Sequence, residues 1–200
     1  MKPNMNGIIE NDNEAFRIDC GAVVLRLFKP EDLDDFHAVT HEPEIVRYLP
    51  GWNAETKEIR ADWLLHYEIP GNERFLQAVR EGRDIGELQL RLAVTLKETG
   101  QFVGWVCSGI KDELPPPNRE IMYGISNAHG GRGYATLAAA GMIRYLFGRG
   151  LADELNALAL PHNTASNRVI AKCGFRAAGS ITIDGEAYHH YKLFRNERKA

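Results

Sequence analysis

Asn127-Ala128-His129-Gly130-Gly131-Arg132-Gly133-Tyr134-Ala135 is the stretch that decides the fold of this chain. Just before it, residues 119–126 put Ile121, Tyr123 and Ile125 on one face, the period of a strand. Just after it, Tyr134, Leu137, Ala138, Met142, Tyr145 and Leu146 recur at helical spacing over 133–147, and Gly148 and Gly150 stand where that helix can stop. Residues 154–160 then read as a second strand. Strand, glycine loop, helix and strand make a βαβ unit, which predicts that the two strands are parallel neighbours. The first N–H groups of a helix have no intrahelical acceptor, and the helix dipole adds partial positive charge there. Three glycines in front of such a helix let the backbone close on an anion. A plain flexible turn would use the same letters; the strand-loop-helix context favours the phosphate site.

Two other phosphate-binding designs fail on the residues. A P-loop needs Gly-Lys-Ser or Gly-Lys-Thr, which neither Gly131-Arg132-Gly133 nor its neighbours supply. A dinucleotide fingerprint belongs immediately after an early strand, whereas this loop lies past the middle of the chain.

Working outward, residues 23–28 form an apolar, β-branched run stopped by Pro30, and Asp32 is placed to cap a helix. Leu33, Phe36 and Val39, then Ile59, Trp63 and Tyr67 after Pro50-Gly51, predict two amphipathic helices. Residues 71–88 carry no clear period. The apolar runs 90–96 and 101–110 flank Lys97-Glu98-Thr99-Gly100, a hairpin signal. Pro115-Pro116-Pro117 cannot donate to a ladder and predicts an extended connection. Beyond the βαβ unit, Asn163-Thr164-Ala165-Ser166 opens a short helix that Gly174-Phe175 closes, and strands follow at 175–183 and 188–194.

The 200 residues, 44% hydrophobic and 26% charged, suit one domain with a sizeable core. Residues 1–20, polar and Asn-rich at their start, are expected to be a mobile tail ahead of a single domain over 21–197. A formal charge of −3 and a pI near 6.2 disfavour a nucleic-acid surface. No 18-residue uncharged apolar run and no signal-peptide core is present, so neither membrane spanning nor secretion is expected. Cys20, Cys107 and Cys173 are an odd number at wide spacing, giving neither a disulfide framework nor a zinc motif, and a reducing cytoplasm is the expected setting.

The glycine run resembles the acetyl-CoA loop of the GNAT superfamily of N-acetyltransferases, Gln/Arg-x-x-Gly-x-Gly/Ala. Gly133 and Ala135 match its last two fixed positions, and Gly130 replaces the usual Gln or Arg. The segment from Asn163 to Phe175 is similar to that family's Asn-x-x-Ser helix ending in Gly-Phe, although caps alone would explain the same residues. Arg47-Tyr48-Leu49-Pro50, the helix with Trp63 and the hairpin with Val103-Gly104 beyond it resemble the ribosomal-protein N-terminal acetyltransferase subgroup. The resemblance implies an α/β (α+β) domain: a mixed, mostly antiparallel sheet with one splayed parallel strand pair and helices on both faces. It implies acetyl-CoA as cosubstrate, with no metal, and an amine acceptor that is a protein N-terminus or a small molecule; a homodimer is compatible with it. Backbone amides of Gly130, Gly131, Arg132, Gly133, Tyr134 and Ala135 would carry the pyrophosphate, with the Arg132 side chain as an added contact. Asn163 would bond the pantetheine arm, with Ser166 beside it, and the N–H of Ile125 would hold the thioester oxygen.

An amine attacks only as the free base, so a proton acceptor is needed. Glu120 matches in position a glutamate that many relatives use, against the alternative of a solvated strand-end carboxylate. Ile170 stands where many relatives carry a proton-donating Tyr, so that acid is absent. Gly130 and Ile170 keep open a different class of function, a non-catalytic acyl-CoA-binding or partner-binding module. His129 is expected in solvent and Cys173 in packing. His189 and His190 should face opposite sides of a strand, and the three tryptophans should line the core or a cleft.

Overall fold

The computed structural model describes residues 8–11 and 14–197. Nine strands among them form one sheet in the order β1-β2-β3-β4-β5-β6-β7-β9-β8. They are β1 (Ile8–Asn11), β2 (Glu14–Asp19), β3 (Val23–Leu27), β4 (Leu90–Leu96), β5 (Phe102–Ile110), β6 (Arg119–Ile125), β7 (Glu154–Ala159), β8 (Arg176–Ile183) and β9 (Glu186–Phe194). Every neighbouring pair is antiparallel except β6 and β7, the parallel pair expected on either side of the glycine loop.

The tail expected over 1–20 is corrected over its described part, where β1 and β2 extend the sheet; residues 1–7 and 12–13 lie outside the described residues. The physical reason is a two-residue period hidden in polar surroundings. Phe16 and Ile18 are buried, Ile18 pairs with Leu25, and the Phe16 ring meets Tyr145 edge-on at 5.1 Å.

The sheet carries helices on both faces. On one side α5 (Tyr134–Gly148) contributes Ala138, Met142, Tyr145 and Leu146 to the main core, together with Phe75 and Leu76 of α4 (Ile69–Arg80) and Ile170 of α6 (Thr164–Lys172). On the other side α1 (Leu33–Thr40) and α2 (Pro43–Tyr48) help close a smaller aromatic core of Phe28, Phe36, Phe102 and Trp105. Gly124 on β6 is forced by this second core: a Cβ there would sit 2.5 Å from the Trp105 ring. Asp32, expected to cap α1, instead takes two hydrogen bonds from Arg26 and one from the Lys29 N–H. The helix α2, led by Pro43, was not legible in the sequence.

The aperiodic stretch 71–88 begins inside α4. From α3 (Lys57–Trp63) the chain runs through a π-helical turn (Leu64–Glu68) into α4, and Pro70, which has no N–H to donate, sits in the first turn of α4. Beyond the end of β3, Asn72 takes over the pairing of β4. Its side-chain amide donates to Arg91 O at 2.6 Å and accepts from Arg91 N at 2.7 Å. That fixes α4 beside the sheet.

Arg60 of α3 is fully buried, 3.5 Å from the buried carboxylate of Glu68, donating to Trp52 O and lying over the Phe36 ring at 4.4 Å. Burial pushes the Glu68 carboxyl above its ordinary range and Arg60 below its own. Removing one partner of such a pair leaves the other charge buried alone, at a cost of about 3–5 kcal/mol. Arg60→Met is therefore expected to lower unfolding stability in urea by that amount, and Arg60→Met with Glu68→Leu to recover most of it. A fully additive double variant would show that the pair is not coupled.

Candidate active site

The glycine loop leaves β6 through a short 3-10 turn (Asn127–His129) and enters α5 at Gly133, whose φ of +82° is left-handed. Gly131 is left-handed too, and a Cβ on either glycine would meet nothing within 4 Å, so open space lies over both. Gly130 has a different role from the one expected. Its N–H donates to Asn127 O at 3.0 Å and a Cβ on it would press on the same oxygen, so it shapes the turn. Among the described residues the N–H groups of Gly131, Arg132, Gly133, Tyr134, Ala135 and Thr136 have no protein acceptor. The Arg132 side chain is exposed and Tyr134 is half-buried beside the His129 ring. Six adjacent donors at the positive end of a 15-residue helix fit a diphosphate.

β6 and β7 touch through a single matched pair, Glu120 with Asn156, and then run on unpaired to Ile125 and Ala159. The strands part toward the glycine loop. Ser126 N–H donates to Val103 O on β5, so by strand alternation the N–H of Ile125 points away from β5, into the opening. Asn163 caps α6 with its side-chain oxygen, which accepts from Ser166 N at 3.1 Å; its amide nitrogen has no protein acceptor among the described residues. The Ser166 hydroxyl is held by the Tyr123 phenol at 2.9 Å, so that contact braces β6 against α6 across the opening.

Glu120 sits where the parting begins. It is 8% exposed, and its carboxyl faces the Leu158 N–H of β7. Burial pushes it up to about 7, against the opposing pull of Lys111 and of that N–H. A surface carboxylate would not behave so; this one has the affinity for a proton that base chemistry near neutrality requires.

The profile of the Acetyltransferase (GNAT) domain matches residues 22–176. The chain belongs to the GNAT acetyltransferases. A search of curated proteins returns no match. Among solved structures, a GNAT-family acetyltransferase from Bacillus anthracis superposes with a TM-score of 0.71 at 21% identity, covering 90% of this chain and 99% of that one. The ribosomal-protein-S5-alanine acetyltransferase from Vibrio fischeri gives 0.68 at 18%, covering 92% and 99%. The aminoglycoside acetyltransferase AAC(6')-Ib in complex with coenzyme A gives 0.67 at 18%, covering 87% and 95%. These identities establish the shared fold.

In this GNAT domain a cleft of about 640 Å³ opens on the sheet face opposite α5, lined by Trp52, Trp63, Tyr67, Arg91, Glu120 and Met122 among others. It reaches Glu120 and stops short of the glycine loop, so Glu120 lies between cleft and strand opening. Trp52 and Trp63 are wall residues and Trp105 is core. Cys173 ends α6 buried, its thiol toward Thr136 O. His190 bonds Asn156 while His189 faces Asn167, on opposite sides of β9. His129 is half-buried. No helix among the described residues is long and apolar enough to cross a membrane.

Three residues of this neighbourhood escaped the sequence reading. Tyr123 was placed on its face of β6, but nothing in the sequence pairs it with Ser166. Glu42 accepts from Ser126 Oγ and Asn127 N, both at 2.6 Å, and so anchors the exit of β6; it comes from 84 and 85 positions away along the chain. Arg91 belongs to a segment read only as an apolar run beside a hairpin loop, and the cleft beside it was not read.

Proposed function

We propose that this GNAT domain transfers an acetyl group from acetyl-CoA to a primary amine by direct attack. One observation carries the reading: the two parallel strands share one rung and then diverge beneath a helix mouth of unpartnered amides. The N–H groups of Gly131 to Ala135 would bind the diphosphate, with the Arg132 side chain beside them. The free side-chain nitrogen of Asn163 would bond the amide-bearing arm, and the N–H of Ile125 would hold the carbonyl oxygen as negative charge grows on it. Once bound, acetyl-CoA supplies an activated acyl carbonyl and a thiol leaving group. Glu120 would take one proton of the incoming ammonium, directly or through a water, so that nitrogen bonds the acyl carbon; its second proton passes to the sulfur as the carbon–sulfur bond breaks and CoA leaves as the thiol. The cleft would orient the acceptor, and residues 71–88, which include part of its lining, would form one wall.

The Arg47-Tyr48-Leu49-Pro50 resemblance favours a peptide or protein N-terminal amine over other small amines; the fold is shared equally with ribosomal-protein and aminoglycoside acetyltransferases. Cytoplasm is the proposed compartment, since the three cysteines are buried and none is in a disulfide. Thiol release from acetyl-CoA across a panel of peptides and small amines, run alongside calorimetry of CoA, tests the reading. Turnover with at least one amine is expected; tight CoA binding with no turnover on any would instead establish a non-catalytic acyl-CoA-binding module.

A further inference from the structure

We propose that the acceptor amine carries a second, anionic group, held by Arg74 and Arg91 while its nitrogen sits at Glu120. The amine end rests on the acetyl-transfer reading; the anion site rests on the cleft alone.

The cleft floor is the sheet face formed by β4, β5 and β6. Register sets Gly109 beside Glu120, and sets Cys107 between Arg91 and Met122. At these two positions the middle strand offers small side chains, with the Gln89 chain laid over Gly109. Glu120 and Arg91 stand on the two outer strands, two strand spacings across and two residues along, about 12 Å apart at Cα. Arg74 of α4 lines the same cleft as Arg91, and the Asn72 clamp to the Arg91 backbone holds α4 beside that strand. Trp52, Trp63 and Tyr67 wall the space between, and Tyr67 is 58% exposed at the mouth.

The charges around this space do not cancel. Lys111 is paired with Glu113 at 2.9 Å. Glu68 is one carboxylate between two guanidiniums, Arg60 at 3.5 Å and Arg91 at longer range. Arg91 hydrogen-bonds Gln89 and lies over the Trp52 ring at 5.9 Å, without a carboxylate in contact. Arg74 is exposed and has no ion-pair partner among the described residues. The remaining carboxylates are Glu87 at the rim and Glu120, which the amine would take. One guanidinium charge is left for the acceptor to match. A polyamine or aminoglycoside would bring further positive charge against Arg74 and Arg91; a carboxylate about 10 Å from the amine would complement them.

The test uses the full chain and three tripeptide amides alike except at the third residue, Ala-Gly-Asp, Ala-Gly-Asn and Ala-Gly-Lys, plus an ω-amino fatty acid of matching span, a diamine and kanamycin. The Asp peptide is expected to exceed its Asn isostere about tenfold in kcat/KM, the size of one charge-assisted contact. Arg74→Gln and Arg91→Gln should each collapse that ratio toward one, and Arg74→Glu should move the preference to the Lys peptide. Preference for the amino acid over all peptides would identify a small-molecule source of the same chemistry. Equal turnover of Asp and Asn peptides, a better rate with diamine or kanamycin, or a ratio that survives both Gln variants would overturn the proposal. Calorimetry of the Asp peptide on CoA-saturated protein separates the two ideas. Arg74-dependent binding without turnover upholds the anion site and ends the transfer reading, whereas absence of both ends the anion site.

Discussion

Glu120→Gln is expected to lower kcat/KM by about 100-fold or more near neutrality while leaving CoA affinity close to that of the parent. The residue is 8% exposed at the parting of β6 and β7, with its carboxyl held up near 7 by burial. A base must be ionised to act, so parent activity should rise with pH through about 7 and level off above it, and the variant should lose that rising limb. The same shift has a stability signature. A carboxyl whose pKa goes from 4.5 up to about 7 on folding binds its proton more tightly in the native state, so its contribution is fully favourable below pH 4.5 and is lost as pH climbs to about 7. The loss is on the order of 3 kcal/mol. Gln carries no charge at either end. Thermal unfolding should therefore show the variant more stable than the parent above pH 7 and nearly equal to it near pH 4.5. A parent-like rate would remove Glu120 from the chemistry, and a stability gap independent of pH would remove its perturbed proton affinity.

The second large effect concerns the helix mouth. Gly133→Trp puts an indole over amides that now face open space, at a residue with φ of +82° where a side chain costs about 1–2 kcal/mol. CoA binding measured by calorimetry is expected to weaken at least 100-fold, roughly the loss of two charge-assisted hydrogen bonds. Urea unfolding of the same sample reports whether the fold survives, since the strain alone removes only a fraction of a domain's stability. Gly131→Ala is the milder companion: it keeps the surroundings clear but strains the backbone, and should weaken CoA less. A folded Gly133→Trp protein that binds CoA like the parent would place the diphosphate elsewhere.

What the sequence disclosed follows from which forces are local. The βαβ unit, the hairpin and the C-terminal strands were readable because their signals sit within a few residues of one another: Gly100 in a tight loop, Gly133 at a helix start, Gly174 at a helix end. The parallel pairing of β6 and β7 was readable from connectivity, and its divergence only through a family resemblance. The first two strands were missed because two buried apolar residues among polar ones give a weak period. α4 was missed because Pro70 and Gly71 interrupt its start and because Asn72, a poor helix former, is kept there by a contact with Arg91, 19 positions on. At the site, Glu120 could be named by position, but its proton affinity depends on burial by other elements. Gly130 was assigned to the ligand, whereas its own turn consumes its amide. The cleft is invisible to any window of sequence, since α3, α4, β4, β5 and β6 all contribute to it.

The single rung between β6 and β7 has a mechanical meaning. The sheet is two plates, β1 to β6 and β7 with β9 and β8, whose backbones are welded along their shared edge at one rung. A bound arm that bonds Ile125 on one plate and Asn163 beside the other would act as a second weld. Amide exchange along both strands should then slow together when CoA is added, and the cosubstrate becomes a splint that completes the molecule it works on.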